Sequence, residues 1–349
     1  MNQRWLFRVD VAGERETAAA DRARGLGHAM KCLSLSHAVR ARGGVVHFSV
    51  EGADDVKPVL EERGVTCDLT TDHEDVFESF DPNVIITDVN YLDIPVINRY
   101  RESAMVVNLA PRGMCKYYAH LTFTGWRIVD VPKPDNASIM HWYTGPQYTI
   151  LNQDFVNLRT QLDTTGWNLE RRGVVVQMGG VDQFDMTGAI LDAIDKDRLG
   201  ERNLTVIAGP FNPHISELQQ RCSEISGAEL IVNPDNLAKI VASHELGVFG
   251  TGISTFEALS VGVPSLNVGL SEFHDRRGEL LGSKGLTHYL GRFDQISPTQ
   301  FNDILFSNLN GTGRIVEMRE RGVETIDGRG PYRIIENTIK HFEWIASEN

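Results

Sequence analysis

Short apolar runs of strand length alternate with segments of helical periodicity along most of the 349-residue chain. Apolar runs of this kind are typical of strands buried on both faces, and repeated strand–helix–strand units predict parallel sheets with right-handed crossovers. The pattern pauses once and then restarts, so the sequence predicts two doubly wound α/β domains. The predicted strands are Trp5–Val11, Val45–Val50, Val84–Val89 and Met105–Leu109 in the first series, and Val174–Met178, Leu204–Ala208, Leu230–Val232 and Leu246–Phe249 in the second.

The pause in strand patterning lies within residues 151–172 and marks the expected domain boundary. We therefore expect an N-terminal Rossmann-like domain over residues 1–155 and a C-terminal one over residues 170–330. Residues 331–349 hold apolar side chains on roughly one helical face. They predict a terminal helix that packs back onto the first domain.

Composition excludes several classes of function. The formal net charge of −13 argues against a nucleic-acid-binding protein, which normally shows a basic stripe. The four cysteines are scattered singly, and no His, Cys or carboxylate cluster has the spacing of a zinc site. No signal-peptide pattern and no apolar run of membrane-spanning length is visible. We expect a cytoplasmic protein, monomeric or weakly homo-oligomeric, that uses no metal or cofactor, binds no nucleic acid and does not insert stably into a membrane.

The segment from Phe249 to Leu266 carries the strongest functional signal. An apolar strand ends in a small-residue turn, and a helix opens directly after it. The unpaired N–H groups and the positive dipole end of such a helix form a diphosphate site, which Gly252 leaves open to close approach. Glu257, one turn into the helix, is placed to reach a sugar hydroxyl. The pair Ser254 and Glu257 is equally a capping-box pattern, in which Glu257 only closes the helix start.

A second signal precedes the first long helix. Gly25 and Gly27 are the first two glycines of a dinucleotide fingerprint that lacks its third. His28 is predicted at the helix start, where the dipole disfavours the imidazolium and leaves a neutral proton acceptor. A histidine that merely caps the turn is the alternative. The preceding residues 12–24 are long for a strand-to-helix loop and form either ordinary solvated surface or a flap over a ligand.

Other candidate residues follow predicted strands on the same edge. Asp88 and Tyr91 follow the third strand, and Asp88 is either a site residue or an ordinary helix N-cap. Gly179 and Gly180 follow the first strand of the second series. Their small size allows the backbone to approach a ligand or the facing domain.

Together these segments resemble the UDP-sugar hydrolases of pseudaminic acid biosynthesis, a family related to the MurG-type glycosyltransferases with the two-domain GT-B fold. The matching segments are collinear and span most of the chain. They are Arg8–Asp10, Gly25–Leu35, Asp88 with Tyr91–Asp93, Gly145–Phe155, Met178–Asp182, Asn212–Pro213, Thr251–Glu257 and Gly262–Leu266.

The resemblance implies two Rossmann-like domains facing a cleft, with UDP on the second domain and the sugar facing His28. The resemblance assigns His28, Asp88 and Tyr91 to the catalytic site. The turn and helix start match the UDP site, with Glu257 toward the ribose. The implied nucleotide-binding residues are Gly252, Ile253, Ser254, Thr255, Glu257, Gly179 and Gly180, and those beside the sugar are Asp10, Gly25, Gly27, Phe273 and His274.

The chain departs from the family at the diphosphate turn and, beside the sugar, at residues 271–274. Ile253 replaces the usual second glycine of the diphosphate turn, and Ser271–His274 stand where the family shows an Asn-Gln pair. The function implied is a metal-independent hydrolase that releases UDP and a free amino or deoxy sugar by inverting attack of water. A GT-B glycosyltransferase with a UDP-sugar donor and a non-catalytic nucleotide-sugar-binding protein are the alternatives.

Overall fold

The computed structural model describes residues 3–10, 18–51, 56–89, 92–109, 114–125, 133–311 and 313–348. The chain divides into two compact units. The first unit joins Met1–Asn152 to Arg329–Asn349, and the second is Gln153–Gly328. The second unit is therefore continuous in sequence, whereas the first is completed by the end of the chain.

The first unit is built on a seven-stranded sheet. Its strands are β1 (Arg4–Asp10), β2 (Val45–Glu51), β3 (Thr66–Leu69), β4 (Val84–Asp88), β5 (Met105–Leu109), β6 (Leu121–Thr124) and β7 (His141–Thr144). Their order is β3-β2-β1-β4-β5-β6-β7, and all neighbours are parallel. The helices between them are α1 (Ala18–Arg40), α2 (Val56–Glu61), α3 (His73–Phe80) and α4 (Ile94–Arg101), with helical turns at Met114–Tyr117 and Pro146–Tyr148.

The second unit repeats this plan with six strands. They are β8 (Val174–Gln177), β9 (Leu204–Ala208), β10 (Ala228–Val232), β11 (Leu246–Gly250), β12 (Ser265–Gly269) and β13 (His288–Arg292), in the order β10-β9-β8-β11-β12-β13 and all parallel. The helices are α5 (Gln153–Thr165), α6 (Met186–Ala193), α7 (Lys196–Leu199), α8 (Ile215–Ser223), α9 (Leu237–Ala242), α10 (Ile253–Ser260), α11 (Glu272–Ser283), α12 (Pro298–Leu309) and α13 (Gly313–Thr325), with a helical turn at Phe293–Gln295.

The prediction of two doubly wound α/β domains is confirmed by these two sheets. In each sheet the strand order reverses once, between β1 and β4 in the first unit and between β8 and β11 in the second. Ligands of open α/β sheets bind at the carboxyl ends of the strands beside such a reversal. The two reversals therefore mark where a site is expected in each unit.

Helix α1 begins earlier than the sequence indicates. It starts at Ala18 rather than near Ala29, so residues 18–24 are helical and the prediction of a loop there is wrong. Alanine and arginine, which are abundant in this stretch, are strong helix formers, and the two glycines at 25 and 27 do not interrupt the helix. Residues 12–17 of the expected flap lie outside the described residues.

The last helix, α14 (Gly330–Glu348), belongs to the first unit and packs against α1. Ile334 and Ile335 are fully buried in the core that the sheet forms with α1. An ion pair between Arg42 and Glu336, 2.6 Å from Nη2 to Oε1, joins the turn after α1 to α14 at the surface. Most of the stabilisation comes from the buried isoleucines, because exposed ion pairs contribute little.

Replacing Ile335 with Ala should lower the free energy of unfolding of the first unit by about 2–5 kcal/mol, because it leaves a cavity in a closed core. Trp344→Ala on the same helix is the matched control, since that side chain is 52% exposed and its loss should cost far less. Denaturant unfolding of both variants measures the difference. Equal losses would mean that α14 is not anchored through its isoleucines.

Candidate functional site

The carboxyl end of β4 carries a buried carboxylate beneath α1. Val84 and Ile86 lie in the core under α1, and Asp88 continues the same alternation at the strand's last position. Its side chain lies within reach of two residues on one face of α1. His28 Nδ1 is 3.0 Å from Asp88 Oδ2, and Lys31 Nζ is 2.6 Å from Asp88 Oδ1. Both lie beside the β1–β4 reversal, where a ligand site is expected.

The Asp88 carboxylate lies beside two basic side chains, Lys31 and His28. Burial alone would raise the pKa of the Asp88 carboxyl, but the attraction of Lys31 and then of His28 outweighs it and holds that pKa below its ordinary value of 3.8. Asp88 is therefore ionised at neutral pH. Burial and the Asp88 charge raise the pKa of the neighbouring Cys32 thiol well above its usual range, so Cys32 stays protonated and is no thiolate nucleophile.

The position of His28 differs from the sequence prediction. It lies in the interior of α1, roughly three turns from the first residue, where the helix dipole no longer acts. Its alternative role as a turn cap is excluded for the same reason. The imidazole lies beside the Asp88 carboxylate rather than at a helix terminus. Gly25 and Gly27 are likewise within the helix, so the predicted glycine turn is wrong, and their role beside a sugar stays a prediction.

Asp88 is not a helix N-cap, because α4 begins after Asp93 and the Asp88 side chain contacts α1 instead. Three other predicted residues cannot be placed in full. Tyr91 lies outside the described residues. The side chains of Asp10, at the end of β1, and of Phe273, in α11, are likewise outside the description.

In the second unit, β11 runs directly into α10 through Thr251 and Gly252. Gly252 is the N-cap residue and makes no side-chain cap. Ser254 lies within the first turn of α10 rather than at the cap, so the capping-box alternative is wrong. A Cβ built on Gly252 would meet nothing within 4 Å. The helix start therefore opens into space that the described residues leave free.

The side chains of the first turn of α10 are unevenly exposed. Thr255 is fully buried and Glu257 is buried, while Ser254 is 9% and Ile253 47% exposed. The backbone N–H groups of Ile253, Ser254 and Thr255 lack helical partners because they begin the helix. An anion at this terminus would meet those groups and the positive end of the dipole.

Asn267 is a residue of this turn that the sequence analysis missed. It is fully buried in the middle of β12, and its Nδ2 donates to Thr255 Oγ1 at 2.7 Å. Thr255 Oγ1 in turn donates to the Gly250 carbonyl at 2.8 Å. This chain fixes how α10 leaves the sheet. An asparagine inside an apolar strand is the signal that would have found it.

The start of α11 is bonded to the same turn. Thr251 Oγ1 donates to the His274 carbonyl at 2.8 Å, and Arg277 Nη1 donates to the Thr251 carbonyl at 3.2 Å. His274, predicted beside the sugar, is thus tied to the turn through its backbone, while its ring Nδ1 lies 2.8 Å from Ser271 Oγ. Burial lowers the pKa of Arg277 to about 10, so it is a cation at neutral pH. Sequence analysis missed Arg277 because nothing in its spacing links it to Thr251.

Gly179 and Gly180 follow β8, beside the β8–β11 reversal. Gly179 has φ +91, a conformation that favours glycine, and a Cβ built on it would meet nothing within 4 Å. The Gly180 backbone packs tightly against Gly209, where an added Cβ would lie 2.1 Å from the Gly180 carbonyl oxygen. Gly180 therefore has a packing role in the turn, whereas Gly179 leaves the strand end open.

Among the described residues, no group of three or more His, Cys, Asp or Glu side chains is arranged to hold a metal ion. None of the described helices combines the length and the apolar character needed to span a membrane.

Comparisons with known proteins show the fold but not the family. No protein-family model matches the chain. It is 24% identical over 253 residues to the uncharacterized protein MJ1062 of Methanocaldococcus jannaschii, covering 69% of this chain and 52% of that one. It is 22% identical over 196 residues to the spore coat polysaccharide biosynthesis protein SpsG of Bacillus subtilis, covering 55% and 56%. The chain thus spans about half the length of the curated relatives it matches.

The solved structures that resemble this chain cover nearly all of it. MurG of Acinetobacter baumannii superposes with a TM-score of 0.65 at 12% identity, over 97% of this chain and 99% of that one. HepE of Anabaena, solved in complex with UDP-glucose, superposes with a TM-score of 0.58 at 12% identity, over 97% and 100%. The chain therefore has a MurG-like GT-B fold, as the sequence resemblance implied. At this identity the likeness shows the fold alone.

Replacing Asp88 with Asn should lower the free energy of unfolding at pH 7 by about 1.5–3 kcal/mol, the scale for a hydrogen bond to a charged group. Because the folded pKa of Asp88 lies below its ordinary value of 3.8, its stabilisation is present above that value and is lost as the pH falls through the folded pKa. The difference from wild type should therefore shrink below about pH 4.

Asp68→Asn is the matched control for this prediction. Asp68 also pairs with a histidine, at 2.8 Å from His47 Nε2, but its side chain is 55% exposed. Its loss should cost under about 1 kcal/mol. Denaturant unfolding across the pH range measures both variants, and a pH-independent deficit in Asp88→Asn would show that the Asp88 charge does not stabilise the fold.

Proposed function

We propose that the protein is a hydrolase of a UDP-linked sugar, in which water attacks the anomeric carbon and UDP departs. The observation that carries the proposal is the contact between His28 Nδ1 and the buried Asp88 carboxylate. A carboxylate at Nδ1 favours the tautomer with its proton on that nitrogen. The lone pair is then on Nε2, where an imidazole acts as a general base.

The reaction follows from this arrangement. His28 Nε2 accepts a proton from water as the water oxygen bonds to the anomeric carbon. The bond from that carbon to the diphosphate oxygen breaks with inversion, and UDP leaves with the electron pair. A nucleoside diphosphate is a good leaving group, so the second carboxylic acid of ordinary glycosidases is not required.

The second unit supplies the nucleotide site in this proposal. The free N–H groups at the start of α10 hold the diphosphate, Arg277 adds a positive charge behind Thr251, and Glu257 contacts the ribose. These groups stabilise the leaving diphosphate without a metal ion. UDP is proposed because HepE was solved with UDP-glucose, together with the sequence resemblance.

The sugar is proposed to be an amino or deoxy sugar, as in the pseudaminic acid family that the sequence resembles. The likeness to SpsG, named for polysaccharide biosynthesis, supports a role in supplying sugars for a surface polymer. The altered residues Ser271–His274 lie beside the nucleotide turn through the Thr251–His274 hydrogen bond. We assign to them the choice of sugar.

Gly252→Ala should weaken UDP binding about tenfold or more while leaving the melting temperature unchanged. The added methyl group meets no protein atom within 4 Å, and the φ of −92 suits any residue, so only an approaching ligand is obstructed. Calorimetry with UDP and thermal melting measure the two effects. Unchanged affinity would exclude this turn as the diphosphate site.

Turnover of UDP-sugars in ¹⁸O-water tests the reaction itself. The label should appear on the sugar, initially with inverted anomeric configuration, and not in UDP. His28→Gln should lower kcat by roughly 10²–10⁴, the range for loss of a positioned base, with little change in UDP affinity.

Each other outcome assigns a different function. Label in UDP would mean attack at phosphorus and would overturn the mechanism. Turnover that appears only with an added acceptor would assign a glycosyltransferase. Tight UDP binding without turnover of any UDP-sugar would assign a non-catalytic binding protein.

A further inference from the structure

The Asp88 carboxylate has two basic side chains beside it where one cation would balance its charge. Lys31 Nζ lies 2.6 Å from one carboxylate oxygen and His28 Nδ1 lies 3.0 Å from the other. We infer that Lys31 is the counter-ion of Asp88, and that by neutralising this carboxylate it allows His28 to remain uncharged. The catalytic meaning of this role rests on the proposed function, but the charge assignment does not.

Charge balance at a buried position supports this assignment. Asp88 is 1% exposed, and a buried carboxylate requires a positive partner. An alkyl ammonium ordinarily carries its charge throughout the neutral range, whereas an imidazole is close to its own midpoint there. With Lys31 present the carboxylate is already balanced, so protonating His28 would place a second positive charge on one anion. Without Lys31, His28 would become the counter-ion and take up a proton.

The geometry divides the two roles between the carboxylate oxygens. Lys31 Nζ donates to Oδ1 and His28 Nδ1 lies beside Oδ2, so Lys31 satisfies the carboxylate charge while His28 stays next to the other oxygen. The side chains of His28 and Lys31 are 25% and 26% exposed, against 2% for Asp88. Both partners thus reach from the solvent side to a carboxylate that water does not reach.

Several other charged groups on elements packed against α1 are engaged elsewhere, so far as the described residues extend. On α1 itself, Cys32 lies 3.9 Å from Asp88 Oδ2 as a neutral thiol. Other contacts are Arg4 of β1 with the Phe80 carbonyl, Arg40 of α1 with the Gly64 carbonyl, Arg8 of β1 with Tyr100, His47 of β2 with Asp68, Glu51 of β2 with His73, Lys57 with Glu61 in α2, Arg42 with Glu336 of α14, and His341 of α14 with Tyr143. Among the described side chains, Lys31 is the lysine or arginine that pairs with Asp88.

Nuclear magnetic resonance of the ¹⁵N-labelled histidine rings tests the charge assignment directly, without reference to activity. The His28 signal is identified by its loss in His28→Gln. Lys31→Met should raise the titration midpoint of the His28 ring by about one pH unit, the scale for a nearby charge. Lys31→Arg keeps the cation and should leave the midpoint near that of wild type. An unchanged midpoint in a folded Lys31→Met variant would overturn the inference.

A second pair of variants covers the case in which Lys31→Met does not fold. Asp88→Asn removes the buried charge, so Lys31 can be deleted in that background without leaving a bare carboxylate. The His28 midpoint should then be higher in Asp88→Asn/Lys31→Met than in Asp88→Asn alone, because a neighbouring cation has gone. Equal midpoints in this pair would also overturn the inference.

The pH profile of kcat/KM separates this inference from the proposed function. If His28 is the base, the acidic limb should move to higher pH in Lys31→Met by the same amount as the ring midpoint, and Lys31→Arg should restore it. A shifted ring midpoint with no turnover of any UDP-sugar would retain Lys31 as the counter-ion and reject only the hydrolase. Turnover with an unshifted midpoint and an unshifted limb would retain the hydrolase and reject the role of Lys31.

Discussion

A carboxylate withdrawn from water needs positive charge beside it, and Asp88 meets this need at the end of β4. The requirement links elements that are far apart in sequence, because Asp88 can be buried only if α1 brings Lys31 and His28 over the sheet edge. The same contacts lower the pKa of the carboxyl. The burial of Asp88 and the position of α1 over this sheet edge thus depend on one electrostatic interaction.

In the second unit, neutral groups rather than charged ones hold the turn at the end of β11. Its turn between β11 and α10 is held by hydrogen bonds among Asn267, Thr255 and the Gly250 backbone, while Gly252 leaves the helix start open. Side-chain hydrogen bonds fix one side of the turn, and on the other side the first N–H groups of α10 have no partner within the helix, which is the arrangement that the proposed anion site uses. Net acidity of the chain does not oppose such a site, because the positive field is local.

The fold was predictable from the sequence because buried parallel strands leave a plain signal. Met105–Leu109 and Leu204–Ala208 are each apolar at four of their five positions, and the structure has both strands at those bounds. Turns that were assigned a function only because they contain glycine were less predictable. Gly25 and Gly27 are inside α1, since a helix stabilised by its own buried face tolerates glycines that local propensity disfavours. Asp88 and His28 were chosen correctly as neighbours of a strand end, but their contact and that of Lys31 depend on tertiary packing that no spacing rule encodes.

The packing of α14 on α1 has a consequence for how the chain acquires its structure. The core of the first unit includes Ile334 and Ile335, so it stays incomplete until α14 has left the ribosome. The second unit, continuous in sequence and complete by Gly328, has all its strands available sooner. Domains generally form as units during synthesis. The domain that comes first along the chain is therefore expected to finish folding last, with its apolar sheet face awaiting the terminal helix.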